Sequence, residues 1–282
     1  MHKIIAATQI ASDVRWLKID APLVARACQA GQFVIVRLDD NGERIPLTIA
    51  GTDPARGCID LVIKAIGKTT IALCQLGAGD LIRDVAGPLG KPTEIVAGKH
   101  AAVVGGGVGA AVILPIAAAL KQASSRVIAL TGGHTRDAVL LEIELSRVCD
   151  RVIACTDDGS YGFSGTVADC LRDLIAGGDR LDIVYTAGPV PMMRAIAELT
   201  RPHAIRTIAS LNPIMVDGTG MCGGCRVSVG GQVRFACVDG PEFDAHAVDF
   251  GELSERLSAY RSQEQLALRR WNDEHGRLCT RP

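Results

Sequence analysis

The chain has few aromatic residues, no excess of either charge and no long apolar run. Phe, Trp and Tyr make up 4% of its 282 residues, and 30 basic side chains are balanced by 31 acidic ones. Nucleic-acid binding needs a basic patch, and single-strand binding also needs stacking aromatics, so we expect no nucleic-acid partner. No apolar segment is long enough to span a bilayer and no signal peptide follows Met1, so we expect no membrane insertion and a cytoplasmic location.

Cysteine is well represented, with ten residues, and three of them lie close together on a glycine-rich stretch that begins at Asp217. Cys222 and Cys225 form a Cys-x-x-Cys pair, which places two thiolates close enough to share an iron or a zinc ion, and Cys237 follows. The glycines let the backbone wrap tightly and point amide N–H groups at sulfur, which favours an iron–sulfur cluster over zinc. A reduced structural pair beside a hairpin is the alternative. The other seven cysteines have no regular spacing, and we expect them to be reduced and mostly buried.

The order of secondary-structure signals predicts an α/β plus β protein. Before residue 98, short segments rich in β-branched residues are separated by turn formers, which is typical of a small antiparallel β-barrel. From His100, strands alternate with helices through short loops, which predicts a doubly wound parallel sheet. A charged amphipathic helix is predicted from Phe250 to Trp271. The expected parts are a barrel (1–98), an α/β domain (99–210), a cysteine loop with a hairpin (211–250), and a C-terminal helix and tail (251–282).

A glycine loop, Gly105-Gly106-Gly107-Val108-Gly109, lies between the first strand and the first helix of the α/β region. Glycine at this place lets the backbone approach a pyrophosphate, whose charge the helix N-terminus stabilises. A tight turn without a ligand is the alternative. The acidic ribose partner expected near the end of the second strand is missing, and Arg136 there either meets a 2′-phosphate or is simply an exposed side chain.

Other segments have the residue types of a nucleotide site. Gly67-Lys68-Thr69-Thr70 opens an apolar helix and is suited to phosphate, although a helix N-cap with a solvated lysine would look the same. The segment Arg44 to Thr48 contains a guanidinium that could bind a diphosphate and a hydroxyl that could bond to a flavin nitrogen. An ordinary surface arginine before a strand is the alternative. Gly188 to Met192 follows the fourth strand of the parallel sheet and Asp157 follows the third, at the carboxyl edge where ligands bind in such sheets. A core methionine and an ordinary turn are the alternatives.

The order of these motifs resembles the ferredoxin–NADP reductase superfamily over about the first 210 residues. The segment Cys222-x-x-Cys225…Cys237-Val-Asp-Gly-Pro-Glu-Phe243 is similar to the electron-transfer subunit of dihydroorotate dehydrogenase. Glu43-Arg-Ile-Pro-Leu-Thr48 and Met215-Val-Asp-Gly-Thr-Gly-Met-Cys222 resemble the small subunits of electron-bifurcating NADH-dependent ferredoxin:NADP oxidoreductases more closely still. One departure concerns the superfamily's Arg-x-Tyr-Ser flavin motif, which would put its arginine at Ile45 rather than at Arg44.

The resemblance implies three cofactor sites. FAD would lie between the barrel and the sheet, held by Arg44, Pro46, Leu47, Thr48, Gly67, Lys68, Thr69 and Thr70. NAD(H) or NADP(H) would lie on Gly106, Gly107, Val108, Gly109, Asp157, Gly188, Pro189 and Met192. A [2Fe–2S] cluster would be bound by Cys222, Cys225 and Cys237. The dihydroorotate branch has a fourth cysteine where this chain has Asp217, so we expect the Asp217 carboxylate to be the fourth ligand, with a turn residue as the alternative.

The function that the resemblance implies is electron transfer. Hydride would move between the nicotinamide and FAD, and single electrons would pass between FAD and the cluster toward a larger subunit that carries flavin and [4Fe–4S]. An electron-transfer subunit of dihydroorotate dehydrogenase is the alternative in the same class, and Asp217 in place of cysteine argues against it. A zinc-ribbon nucleotide sensor without enzymatic activity is the alternative in a different class.

Overall fold

The N-terminal part is an antiparallel β-barrel in the computed structural model, which describes residues 1–275. Seven strands follow one another around the barrel in the order β6-β1-β2-β5-β4-β3-β7, and every neighbouring pair is antiparallel. The strands are β1 (His2–Ala11), β2 (Val14–Asp20), β3 (Phe33–Arg37), β4 (Arg44–Asp53), β5 (Cys58–Lys64), β6 (Leu81–Ile82) and β7 (Asp84–Leu89). Two short helices, α1 (Pro22–Ala27) and α2 (Lys68–Gln75), pack against its strands.

The barrel forms because its strands are rich in apolar, β-branched residues, which it can bury in a common core. Leu17 and Ile19 of β2, with Val34 and Val36 of β3, lie fully buried in one core. β5 is buried along nearly its whole length, which fits its position in the middle of the sheet. The predicted barrel is therefore confirmed, although the sequence did not predict α1 or the two strands before the α/β region.

The second part is a seven-stranded sheet with helices on both faces. Its parallel strands are β8 (His100–Gly106), β9 (Arg126–Gly133), β10 (Arg151–Thr156), β11 (Phe163–Ser164), β12 (Ile183–Ala187) and β13 (Arg206–Ser210), with β16 (Glu242–Asp244) antiparallel at one edge. The helices are α3 (Gly109–Gln122), α4 (Glu142–Ser146), α5 (Val167–Ala176) and α6 (Val190–Thr200). The order β11-β10-β9-β8-β12-β13-β16 reverses direction between β8 and β12, which opens a crevice at their carboxyl ends.

The cysteine loop leads into a small hairpin and two helices. The hairpin strands are β14 (Arg226–Val229) and β15 (Gln232–Phe235), and the helices are α7 (Phe250–Ser258) and α8 (Arg261–His275). The single helix predicted from Phe250 to Trp271 is thus wrong, because a turn at Ala259-Tyr260 separates α7 from α8, which contains the buried Trp271 and packs near α2. Residues 276–282 of the predicted tail lie outside the described residues. Within the described part, no helix has the length and apolarity that a membrane span requires.

A single apolar core joins the three parts. It contains Phe33 and Ile35 of the barrel, Met193 of α6, and the buried Cys225 and Cys237. The cysteine loop is therefore packed against both larger parts rather than held away from them.

Candidate functional site

Asp217 and Cys222 form the first pair of possible metal ligands in the cysteine loop. The Cys222 thiol donates to Asp217 Oδ1 at 3.1 Å, and the Thr219 hydroxyl and the Met221 N–H both donate to Oδ2 at 2.9 Å. The hydrogen bond from Cys222, joined by those from Thr219 and Met221, holds the pKa of the Asp217 carboxyl well below its usual range. The carboxylate is therefore charged and turned toward the cysteines, as a ligand must be.

Cys225 and Cys237 form the second pair, with their sulfur atoms 3.2 Å apart in the buried core. Burial, and then the Cys225 thiol beside it, raise the pKa of Cys237. Backbone N–H groups point at sulfur on both sides: Gly224 N lies 3.5 Å from Cys222 Sγ, and Cys237 N lies 3.5 Å from Cys225 Sγ. Amide N–H groups directed at sulfur stabilise thiolates and inorganic sulfides.

These donors fit a two-iron cluster better than a single metal ion. Within residues 1–275, no three His, Cys, Asp or Glu side chains converge on one point as a mononuclear site would need. The four donors stand instead as two close pairs, 217/222 and 225/237. A [2Fe–2S] cluster takes two protein ligands on each iron, which is the number that two such pairs offer.

The loop reaches this shape because it lies tightly on the barrel. Gly218 has φ +76°, and a Cβ there would lie 2.6 Å from Leu89 Cδ1 and 2.9 Å from Ile35 Cγ1. Arg44, at the start of β4, donates from Nε to the Val216 carbonyl at 2.8 Å. The structure thus places Arg44 on the cysteine loop. Sequence reasoning missed this contact because the two residues lie far apart in the chain.

The turn that the sequence predicts to bind phosphate, Gly67 to Thr70, forms the N-terminus of α2, next to β4. Gly67 precedes the helix in an extended conformation and has no side chain to cap its first N–H groups, and the Thr70 hydroxyl instead accepts from the Gly67 N–H at 3.0 Å. The Thr69 hydroxyl donates to the Glu43 carboxylate, so an anionic group already lies at this helix end. That carboxylate occupies the kind of position a phosphate oxygen would take, and the turn therefore fits a phosphate.

The remaining predicted flavin residues lie on β4 and in the first turn of α2. Pro46, Leu47 and Thr48 are half-buried on β4, where Thr48 is paired with Phe33 of β3. Lys68 is half-buried in the first turn of α2 and is in none of the ion pairs of the described residues. These residues provide backbone hydrogen-bonding groups, the Thr48 hydroxyl and the Lys68 ammonium group.

A cavity of about 390 Å³ opens at the crevice between β8 and β12. Five of the predicted dinucleotide residues line it: Gly106, Gly107, Asp157, Pro189 and Met192. The other three, Val108, Gly109 and Gly188, are not part of the cavity wall. A Cβ on Gly109 would clash with the Ala187 carbonyl, so this glycine permits α3 to approach β12, and Gly188 has φ +154° beside Met192. Val108 packs toward the barrel instead.

The cavity wall also contains residues that sequence reasoning missed, namely Gly132, Gly133, Thr166, Val167, Ala168, Pro191 and Ala195. One sequence signal could have pointed to Thr166. Its hydroxyl caps α5 by accepting from the Asp169 N–H at 3.2 Å, and the Asp169 carboxylate in turn accepts from the Thr166 N–H at 3.1 Å. The Thr-x-x-Asp spacing is that of a capping box, which places a helix N-terminus at this edge.

Two known protein families match this chain, one in the barrel and one in the cysteine loop. A model of an oxidoreductase FAD-binding domain matches residues 1–93. A model of the iron–sulfur cluster binding domain of dihydroorotate dehydrogenase B matches residues 212–249, a range that includes Asp217, Cys222, Cys225 and Cys237.

Whole-chain relatives extend the comparison. The chain is 45% identical over 96% of its length to a Thermotoga maritima homologue of the electron transfer subunit of dihydroorotate dehydrogenase B (NAD(+)), covering 95% of that protein. It is 33% identical to the Geobacillus thermodenitrificans electron transfer subunit of dihydroorotate dehydrogenase B, over 87% of this chain and 96% of that one.

Solved structures give the same result. A chain of the NADH-dependent reduced ferredoxin-NADP oxidoreductase, studied for flavin-based electron bifurcation, matches with a TM-score of 0.91 and 44% identity, covering 96% of this chain and 98% of that one. An Amycolatopsis cytochrome P450 reductase matches at 20% identity, with a TM-score of 0.62, over 72% of this chain and 66% of that one, which shows the shared fold alone.

The predicted family, the fold and the FAD and iron–sulfur cofactors are therefore confirmed. The chain belongs to the family of dihydroorotate dehydrogenase B-type electron transfer subunits, which are oxidoreductase subunits with an FAD-binding and an iron–sulfur cluster-binding domain.

Proposed function

We propose that this chain passes electrons between NADH, FAD and a [2Fe–2S] cluster and exchanges them with a larger redox subunit. The observation that supports this proposal best is the shared core that packs the cysteine loop against the barrel. Gly218 of that loop lies against Ile35 of β3, the strand next to β4 with its predicted flavin residues, and against Leu89 of β7, the strand on the other side of β3. Electron transfer between cofactors requires this kind of close and fixed approach.

We assign FAD to the barrel part, residues 1–98. Gly67, Lys68, Thr69 and Thr70 would hold its phosphates at the N-terminus of α2, and Glu43 would give up its place on the Thr69 hydroxyl. Pro46, Leu47 and Thr48 would contact the ring system, with the Thr48 hydroxyl available to a ring nitrogen. Arg44 would fix the barrel to the cysteine loop through Nε, and its other N–H groups would be available to the flavin phosphates. When bound, FAD supplies the conversion of a hydride into single electrons.

We assign the dinucleotide to the α/β part, residues 99–210. Gly106 and Gly107 would hold its pyrophosphate at the N-terminus of α3, with Val108 and Gly109 shaping that turn. Gly188, Pro189 and Met192 would position the nicotinamide end at β12, the side of the crevice nearer the cysteine loop. The relatives are named as NAD(+)- and NADH-dependent, which supports NADH as the electron donor.

We assign the cluster to residues 211–250, with Asp217 and Cys222 on one iron and Cys225 and Cys237 on the other. A carboxylate is a harder ligand than a thiolate, so Asp217 would change the electronic properties of its iron. Cys222 and the neighbouring Met221, 88% exposed, lie at the surface, so one iron would be close to a docked partner.

The partner that we propose is a larger subunit with flavin and [4Fe–4S] centres. The matched relatives are named as electron transfer subunits, and the matched structure is that of a bifurcating oxidoreductase, which supports a heteromeric complex. The remaining residues, 251–282, would complete the chain's C-terminal part. The nine described cysteines form no disulfide, which supports the predicted cytoplasmic location.

Anaerobic purification followed by metal, sulfide and flavin analysis tests the proposal. We expect about two iron and two acid-labile sulfide per chain, together with FAD. Cys222→Ser should lose or weaken the cluster, whereas the control Cys149→Ser, at a half-buried thiol in the α/β part, should retain it. Zinc without sulfide and without flavin would support the nucleotide-sensor alternative, and FMN alone would contradict the assignment of the phosphate turn.

A further inference from the structure

The dinucleotide cavity contains one ionisable side chain among the described residues that line it, that of Asp157. Asp157 directly follows β10, and its N–H donates to the Gly133 carbonyl at 3.2 Å, which ties it to the end of β9. Its side chain is about half exposed, so the carboxylate is accessible to a ligand in the cavity.

The position of Asp157 suits the adenosine ribose of a dinucleotide. β10 lies two strands from β8, which is about 10 Å at the usual strand spacing, and the pyrophosphate would lie at the end of β8. Gly132 and Gly133, between them at the end of β9, have no side chains to block this path along the cavity. In the common dinucleotide fold an acidic residue at the end of the second strand binds the ribose, and here the next strand supplies it.

The nearby arginine is held away from the cavity. The Arg136 guanidinium lies 5.1 Å from the centre of the Tyr161 ring, and the Tyr161 hydroxyl donates to the Glu142 carboxylate oxygens at 3.1 and 3.2 Å. Stacking on an aromatic ring beside a carboxylate is a favourable position for a guanidinium. Arg136 is not among the residues that line the cavity.

One other group close to Asp157 can carry positive charge. His134 Nδ1 lies 3.5 Å from Asp157 Oδ2, but its side chain is 78% exposed to solvent and His134 is not among the residues that line the cavity. A 2′-phosphate at this place would therefore meet a carboxylate without an arginine to neutralise it. A 2′-hydroxyl would instead donate a charge-assisted hydrogen bond to the same carboxylate.

We infer that Asp157 determines dinucleotide specificity, selecting NADH over NADPH by accepting from the 2′-hydroxyl and repelling a 2′-phosphate. This inference rests on the proposed dinucleotide site and adds to it the residue that discriminates between the two forms. Asp157 acts in binding and takes no part in the redox step.

Calorimetry tests this inference with two non-reducing probes, ADP-ribose and 2′-phospho-ADP-ribose, each titrated into the flavin-loaded protein. We expect the wild type to prefer ADP-ribose, and Asp157→Asn to reduce that preference roughly tenfold, because a hydrogen bond to a charged group is lost and a repulsion is removed. Asp158→Asn is the matched control. It removes the same charge one residue later, from a carboxylate that accepts the Ser160 N–H at 2.9 Å and does not line the cavity.

The control separates a local contact from bulk charge. Asp158→Asn should change the preference less than about twofold, as expected for a screened surface charge. Arg136→Ala should leave binding of 2′-phospho-ADP-ribose within about twofold of wild type, as expected for a side chain outside the cavity. Unchanged flavin absorbance and circular dichroism would establish that each variant is folded.

Several results would overturn the inference. They are a wild-type preference for the 2′-phosphorylated probe, equal changes of the preference in Asp157→Asn and Asp158→Asn, or a tenfold weaker binding of the 2′-phosphorylated probe by Arg136→Ala. If the wild type binds neither probe while FAD and cluster are present, the proposed dinucleotide site itself is wrong. If it binds both and Asp157→Asn leaves their ratio unchanged, the site stands and the discriminating role of Asp157 fails.

Discussion

Replacing Glu242 with glutamine should make the stability of the protein less sensitive to alkaline pH. Glu242 lies on β16 where the edge of the parallel sheet meets the barrel, and its carboxylate accepts from the Thr93 hydroxyl at 2.7 Å. Burial raises its pKa from 4.5 to about 7, and the hydrogen bond from Thr93 only partly offsets this. The folded protein therefore holds a proton on Glu242 at pH values where the unfolded chain has lost it.

The sign and size of the effect follow from this difference in pKa. Because the folded-state pKa is the higher one, the stability linked to Glu242 is fully present below pH 4.5 and is lost as pH rises through about 7. A difference between 4.5 and about 7 corresponds to about 3 kcal/mol at 1.36 kcal/mol for each pKa unit. Glu242→Gln keeps a neutral side chain of the same shape at all pH values, so it escapes this loss.

Urea unfolding of both proteins, loaded with FAD under anaerobic conditions, measures the effect as a difference between two pH profiles. We expect equal stability near pH 4 and a variant more stable by about 3 kcal/mol near pH 9. Infrared absorption of the protonated carboxyl, present in the wild type at pH 6 and absent in Glu242→Gln, checks the assignment. Parallel pH profiles for the two proteins would refute the reasoning, since Glu242 would then titrate as an ordinary exposed carboxyl.

Predictions at the three cofactor sites concern one residue each. Asp217→Cys should retain the cluster with a changed electron paramagnetic resonance signal and potential, whereas Asp217→Ala should lose iron on gel filtration; wild-type behaviour in both would exclude Asp217 as a ligand. Gly109→Ala should weaken ADP-ribose binding at least roughly tenfold, because its Cβ meets the Ala187 carbonyl, while the control Gly77→Ala, whose Cβ meets nothing closer than 3.8 Å, should not. Lys68→Ala should weaken FAD binding roughly tenfold by fluorescence titration, and an unchanged affinity would remove Lys68 from the phosphate turn.

The fold and the positions of the glycine loops could be predicted from the sequence because they depend on local patterns. Segments rich in β-branched residues between turn formers predicted the barrel, and strand–helix alternation predicted the parallel sheet. Once a sheet is parallel, loops after its strands share one edge, so Gly106, Asp157 and Pro189 could be expected around one cavity. The close spacing of Cys222 and Cys225 likewise needed no knowledge of the fold.

Features that depend on contacts between distant segments could not be predicted. Arg44 contacts the Val216 carbonyl only because the cysteine loop packs on the barrel. The stacking of Arg136 on Tyr161 depends on the turn that follows β10, so the sequence left open whether this arginine meets a phosphate. The break between α7 and α8 accompanies the packing of α8 near α2, a contact between distant segments that the charge pattern, which continues through the break, does not indicate.

The most direct test of the proposed electron path is rapid-freeze electron paramagnetic resonance of the isolated chain after anaerobic mixing with NADH. If electrons pass from NADH through FAD to the cluster, flavin absorbance should fall first and the signal of a reduced [2Fe–2S] cluster should follow. The same protein stripped of FAD should give no such signal. A cluster that NADH reduces equally fast without FAD, or that NADH-reduced flavin never reduces, would contradict the account.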